Sequence, residues 1–186
     1  MMNPFPITPL NPSHLEQVLR LQQQVLESLP APNLLRRNTD EMMLSCLSRP
    51  HYSLGAWKGE ELVALAILYV PQTSEEDLSL RLRTIDASRY KVADYKLCMV
   101  RPDSRGNHLQ RIMGQMLIEK ASEWGYNLIA ATASPDNSFS HNSLIQLGFQ
   151  VDSQAIFYGG LHRQLYYLTT EKNNTRNNNS ITYSPI

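Results

Sequence analysis

Apolar residues recur with two different periods along this chain. Leu15, Val18, Leu19, Val25, Leu26 and Leu29 follow helical spacing, which predicts a helix that stops at Pro30. Ser13, followed three residues later by Glu16, reads as its capping box. Thr39 can cap a second helix holding Met42, Met43 and Leu47, closed by Ser48-Arg49-Pro50. Tyr52 to Trp57 and Leu62 to Val70 are strand-like runs joined by Lys58-Gly59-Glu60-Glu61, a hairpin signature. Ile7 to Leu10 suits a short edge strand, because Pro6 and Pro9 exclude a central one.

In the second half, strands and helices alternate. A strand over Tyr95 to Val100 is followed by a helix over Leu109 to Trp124, which reads as the most one-sided in the chain and ends at Gly125. Leu128 to Ala133 is nearly all apolar, the mark of a strand covered on both faces. Ser134-Pro135-Asp136-Asn137 then caps a short helix through Leu147. Gly148 ends it, Phe149 starts another strand, and Ala155 to Tyr158 with Gln164 to Thr169 form a closing hairpin. Residues 72 to 92 fit either an alternating or a helical pattern, and a substrate-side loop is a third reading. The Asn-rich stretch from Glu171 onward predicts a disordered tail after one domain over residues 1–170. The class is α/β with a mixed sheet.

Composition narrows the partners. Lys+Arg and Asp+Glu both number 17 in 186 residues, so the basic excess of a nucleic-acid binder is missing. No apolar run approaches the roughly 20 residues of a membrane span, and Met-Met-Asn-Pro-Phe-Pro lacks the features of a signal peptide. Cys46 and Cys98 lie in separate apolar stretches and read as buried free thiols of a cytoplasmic protein. No His, Cys or carboxylate cluster has metal-ligand spacing, and no serine sits in a nucleophile elbow.

Two segments carry candidate chemistry. Val100-Arg101-Pro102-Asp103-Ser104-Arg105-Gly106-Asn107-His108-Leu109-Gln110 joins a strand to a helix through an Arg-Gly turn. Such a turn aims unpaired backbone N–H groups and the positive end of a helix dipole at one point, where an anion can bind. An ordinary tight turn is the alternative. The second segment, Ser134-Pro135-Asp136-Asn137 with Ser140 and Gly148-Phe149, follows a strand that can lie parallel to the first. Two such strands open a cleft at their C-terminal ends. Asn137 could face a ligand there or simply cap the helix.

Together these segments resemble the GNAT superfamily of acetyl-CoA-dependent N-acetyltransferases over roughly residues 52 to 169. The motif Q/R-x-x-G-x-G/A after a strand ending V-x-P is matched by Val100, Pro102 and Arg105, and the later Asn…Gly-Phe pattern by Asn137, Gly148 and Phe149. The resemblance implies a mixed, mostly antiparallel sheet with helices on both faces, splayed between two central parallel strands. It also implies that the backbone of Cys98, Met99 and Val100 pairs with the pantetheine arm of acetyl-CoA, the acyl-donor substrate. Arg105 and the amides of Gly106, Asn107, His108, Leu109, Gln110 and Arg111 would hold the pyrophosphate. Asn137 would face the pantetheine with Ser140 one turn along, and no metal is required. The expected reaction is direct attack of a primary amine, a small molecule rather than a protein terminus, in a ternary complex. A homodimer is compatible with this reading.

Four positions depart from the family pattern. His108 and Gln110 occupy the glycine sites of the turn. Leu144 stands where many members place a tyrosine as general acid, and Thr132 where some place a glutamate. Ser140, the candidate catalytic residue, or Ser143 could donate to the thiolate instead. His141 is a conceivable base but reads better as a surface residue; Asp94, Tyr95 and Tyr158 are candidates that spacing does not place. These departures keep a catalytically degenerate CoA-binding domain as the alternative.

Overall fold

The computed structural model describes residues 4–170. Seven strands form one sheet in the order β1-β2-β3-β4-β5-β7-β6. They are β1 (Ile7–Pro9), β2 (Tyr52–Lys58), β3 (Glu61–Tyr69), β4 (Val92–Val100), β5 (Leu128–Ala133), β6 (Gln150–Phe157) and β7 (Leu161–Thr169). Only β4 and β5 are parallel. The four helices are α1 (Leu15–Glu27), α2 (Asp40–Cys46), α3 (Leu109–Glu123) and α4 (Ser138–Gln146). The expected sheet is therefore present, with its two parallel strands at the centre and helices on both faces. No helix among the described residues is long and apolar enough to cross a membrane.

Alternation along the strands sorts the core. One face buries Tyr95, Ile129, Ala131 and Tyr166 with Met113 and Leu117 of α3 and Leu144 of α4. The other face is covered in two patches. Val18, Leu21 and Val25 of α1 and Met43 of α2 pack on Leu65, Ile67, Leu97 and Met99. Separately, Leu78 packs on Ala130, Phe157 and Leu165. The second face thus has a seam between its two apolar patches.

Several boundaries differ from the sequence reading. Ser13 does not cap α1: Asn11 caps a single 3-10 turn, Pro12–His14, by accepting from the Ser13 N–H, and α1 begins after it. Pro12 at the first position of that turn favours Asn11 as the cap, since its missing N–H costs nothing there. Polarity is also sorted more sharply around α1 than around α3, which lies against the sheet with its flanks partly covered. β4 starts three residues early, at Val92. Residues 72 to 91 are neither a strand nor a long helix: 3-10 turns at Leu78–Arg81 and Ala87–Arg89 are capped by Asp77 and Asp86, and Asp152 accepts from the N–H groups of Arg83 and Thr84. Thr39 caps α2, and Gly125 and Gly148 follow α3 and α4 in the left-handed region, as expected. The tail expected beyond residue 170 lies outside the described residues.

Candidate active site

The cleft originates in a β-bulge. Ile67 of β3 pairs with Leu97 and Leu68 with Tyr95, so Lys96 is the extra residue on β4. Pairing between β4 and β5 stops at the same place, Tyr95 with Ala131. Beyond it, β4 continues to Val100 against β3 alone, and β5 continues to Ala133 against β7 alone. A bulge bends and twists its strand, which separates the two ladders. The backbone of β4 from Lys96 to Val100 then presents alternate N–H and C=O groups to the opening. Tyr95, Lys96 and Cys98 of β4 line the cleft on one side, and Thr132, Ala133 and Ser134 line it on the other.

Both helices that follow the parallel strands start at this opening. Arg101 fixes the exit from β4: its N–H donates to Val63 O at 2.8 Å, and its guanidinium bridges Glu61 and Asp103 at 2.9 and 2.7 Å. Asn107 Nδ2 donates to Ser104 O at 2.9 Å, closing the loop. Gly106 and His108 both take left-handed backbone, φ 82° and 57°. That conformation explains a glycine at position 108 in the family motif: histidine adopts it at a cost of about 1–2 kcal/mol. The first intrahelical bond of α3 is Ile112 N to His108 O, at 3.0 Å, so the N–H groups of Leu109, Gln110 and Arg111 precede the ladder. The side chain of His108 is exposed, that of Leu109 is buried in the core, and Gln110 lines the cleft. Arg105 points elsewhere. Its guanidinium donates to Val100 O at 3.4 Å and to Ser28 Oγ at the end of α1 at 3.2 Å.

Asn137 caps α4. Its side-chain oxygen accepts from the Ser140 N–H at 3.0 Å, leaving the amide NH2 for any ligand. Ser140 and Leu144, one turn apart, both line the cleft. His141 turns the other way, with Nδ1 2.9 Å from the hydroxyl of Tyr166, a side chain 1% exposed. It is half-buried and tied to the core through this contact, rather than a free surface residue as expected. Tyr95 does not reach the reaction space with its hydroxyl either, which is buried near Gly114 beside the Cys98 thiol. Burial holds the Asp94 carboxyl well above the usual carboxylate range.

At the far end of the cleft the structure places Tyr158, a candidate that spacing left unplaced, together with Arg36 and Arg163, which sequence reasoning missed. Tyr158 sits in the β6–β7 turn with φ 52°, a left-handed conformation unusual for an aromatic residue. Its hydroxyl is 3.3 Å from Thr132 Oγ1, and the Arg36 guanidinium lies 4.3 Å from its ring centre. Arg163 of β7 reaches the same end. The one legible signal was Arg163, a charge in phase with the buried Leu165 two residues on. Burial pushes the Cys98 thiol up to about 12, so it is no nucleophile at neutral pH. Among the described residues no group of three or more His, Cys, Asp or Glu is placed to hold a metal.

Known proteins share this architecture. The Salmonella typhimurium protein yncA, solved with its cofactor acetyl-CoA, superposes with a TM-score of 0.66 at 19% identity, over 91% of this chain and 96% of that one. The ribosomal-protein-S18-alanine N-acetyltransferase of Escherichia coli gives 0.65 at 15% identity, over 91% and 97%. A Bacillus subtilis acetyltransferase in complex with CoA gives 0.56 at 14% identity, over 89% and 98%. No curated protein sequence matches this one. A family model matches residues 17–149, most of the described chain and both segments that flank the splayed strands, and the protein therefore belongs to the acetyltransferase (GNAT) family.

Proposed function

We propose that the chain is an N-acetyltransferase that moves acetyl from acetyl-CoA to the primary amine of a small molecule, by direct attack in a ternary complex. The observation that carries this reading is the divergence of β4 from β5 at the Lys96 bulge, with the starts of α3 and α4 beside it. The freed edge at Cys98, Met99 and Val100 suits the amides of a pantetheine arm, added like a strand, and one N–H there can polarise the thioester carbonyl. The N–H groups from Gly106 to Arg111 suit the pyrophosphate. Arg105 serves by holding the turn against α1 rather than by touching phosphate. The Asn137 amide and Ser140 suit the pantetheine on the α4 side.

Chemistry then needs little else. The neutral amine attacks the carbonyl, the C–S bond breaks as the C–N bond forms, and the ammonium proton passes to solvent while the thiolate takes one from a nearby donor. Ser140 and the Tyr158 hydroxyl are the candidates for that donor, since both line the cleft. The free thiols of Cys46 and Cys98 suit a cytoplasmic setting. Leu144 in place of the family tyrosine favours a second reading, a domain that binds CoA without transfer. Tyr158, which supplies a hydroxyl from another element, favours the first.

Thermal melting with and without acetyl-CoA, followed by thiol release against an amine panel, tests the proposal. Acetyl-CoA should raise the melting temperature by mass action. No shift at millimolar ligand overturns it. A shift with no thiol release on any amine favours the second reading.

A further inference from the structure

The seam on the second face of the sheet holds an unusual charge pattern. Leu97 and Met99 belong to the patch under α1 and α2, and Ala130 and Leu165 to the patch under Leu78. Between them, three cations line the cleft: Arg36, Lys96 and Arg163. No aspartate or glutamate lines it. Arg163 is 4% exposed and donates through Nη1 to the neighbouring His162 carbonyl at 2.9 Å. Neither Arg163 nor Arg36 forms an ion pair among the described residues. Lys96 interacts with the Glu76 carboxylate, and Asp94 is buried and held toward its neutral form, so the charge that lacks a counter-ion is that of the two arginines.

A buried guanidinium without a counter-ion is costly unless something anionic completes it. The phosphates of the acyl donor are poor candidates. The amides suited to them open α3, which packs on the opposite face of the sheet. The pantetheine arm is uncharged. What remains is the acceptor, which must enter from this end to reach the thioester.

Resting on the transferase reading above, we propose that the acceptor is an amine that also carries a carboxylate or phosphate, and that this anion docks between Arg36 and Arg163. The Tyr158 ring, stacked under Arg36 at 4.3 Å, holds one half of the clamp. β7 holds the other. A guanidinium presents paired donors that match either anion. The same cations disfavour an ammonium nearby, which helps to deliver the amine in its neutral, nucleophilic form.

Matched probes test this. L-amino acids are compared with their amides, and aminoalkyl phosphates with the corresponding amino alcohols, each at about 10 mM with the CoA-saturated full chain. Binding is read by thermal shift, and transfer by thiol release from acetyl-CoA. Members of one anionic series should stabilise the chain and show a KM about tenfold or more below their neutral counterparts. Which series does so distinguishes carboxylate from phosphate. Arg163→Gln should erase that preference by raising KM, with acetyl-CoA affinity unchanged, and Arg163→Lys should recover part of it. Arg36 is exposed, so Arg36→Gln gives the same test without risk to folding. The proposal is overturned if neutral amines bind and react as well as anionic ones. It is equally overturned if no anionic amine binds the CoA-loaded chain, or if both glutamine variants keep the preference. Failure of CoA itself to bind is a different result, and removes the transferase reading first.

Discussion

The hydroxyl of Tyr158 lies 3.3 Å from Thr132 Oγ1, joining the β6–β7 turn to the end of β5 on one side of the cleft. Thr132 holds the position where some relatives carry a glutamate, and Leu144 the position where many carry a tyrosine. Tyr158 therefore brings to the Thr132 side of the cleft a phenol that Leu144 does not provide. Burial raises the Tyr158 phenol above its ordinary value of 10, with the Thr132 contact opposing, so it stays protonated and able to donate at neutral pH. Its left-handed backbone stores strain of about 1–3 kcal/mol, which the fold supports at few places.

Tyr158→Phe should therefore lower kcat about tenfold to a hundredfold, with the KM for acetyl-CoA nearly unchanged. The effect is expected at the lower end of acid catalysis, because a thiolate leaves readily even without help. Steady-state thiol release measures it. An unchanged kcat would transfer the role to Ser140 or to water.

Much of this was legible because it rests on local rules. The succession of strands and helices along the second half, the caps at Thr39 and Asn137, and the glycines after α3 and α4 follow from period and turn chemistry. The segment 72–91 was not legible, since its order comes from aspartate side chains, Asp77, Asp86 and the distant Asp152, rather than from an apolar period. Tyr158 was left unplaced, and Arg36 and Arg163 were missed, for a related reason. They meet only after β7 inserts between β5 and β6, a pairing across the sheet that no local window contains.

His108 offers a test of the turn. It holds φ 57° with its side chain exposed and no capping bond to α3. Glycine there relieves about 1–2 kcal/mol of left-handed strain and returns part of it as unfolded-chain entropy. His108→Gly should be more stable by about 0.5–1 kcal/mol in urea unfolding, raising Tm by about 1–4 °C. Acetyl-CoA affinity by calorimetry should hold or improve. A clear loss would mean that the imidazole itself touches the ligand.

The contact between His141 and Tyr166 predicts a stability effect without a catalytic one. The Tyr166 ring is buried and its hydroxyl has His141 Nδ1 at 2.9 Å, so His141→Ala strands a buried phenol. The expected cost is about 1–3 kcal/mol, with kcat near the parent value at a temperature where both are folded. Tyr166→Phe should cost less, since the half-buried histidine can turn to water. The double variant should fall short of the sum by about 1 kcal/mol. Additive losses would show that the two groups do not support each other.

His51 gives the pH dependence a sign. Its Nδ1 accepts from the Val70 N–H at 3.0 Å, and its ring stacks on Tyr69 at 4.1 Å. Protonation would replace that acceptor with a donor and lose the bond. Burial lowers the imidazole pKa below its ordinary 6.5, with Lys96 reinforcing the shift and Glu76 opposing it. The unfolded chain therefore binds this proton more readily than the folded one. The stabilisation is complete above about pH 6.5, shrinks as pH falls through the lowered folded-state value, and is constant below it. Urea midpoints measured from about pH 7 down to pH 5 should fall in the parent and fall less in His51→Gln, whose amide oxygen can still accept from Val70 but does not titrate. Taking the difference between the two proteins removes the opposite contribution of Asp94, whose raised pKa makes the fold gain stability on acidification. Parallel curves for parent and variant would sink the assignment.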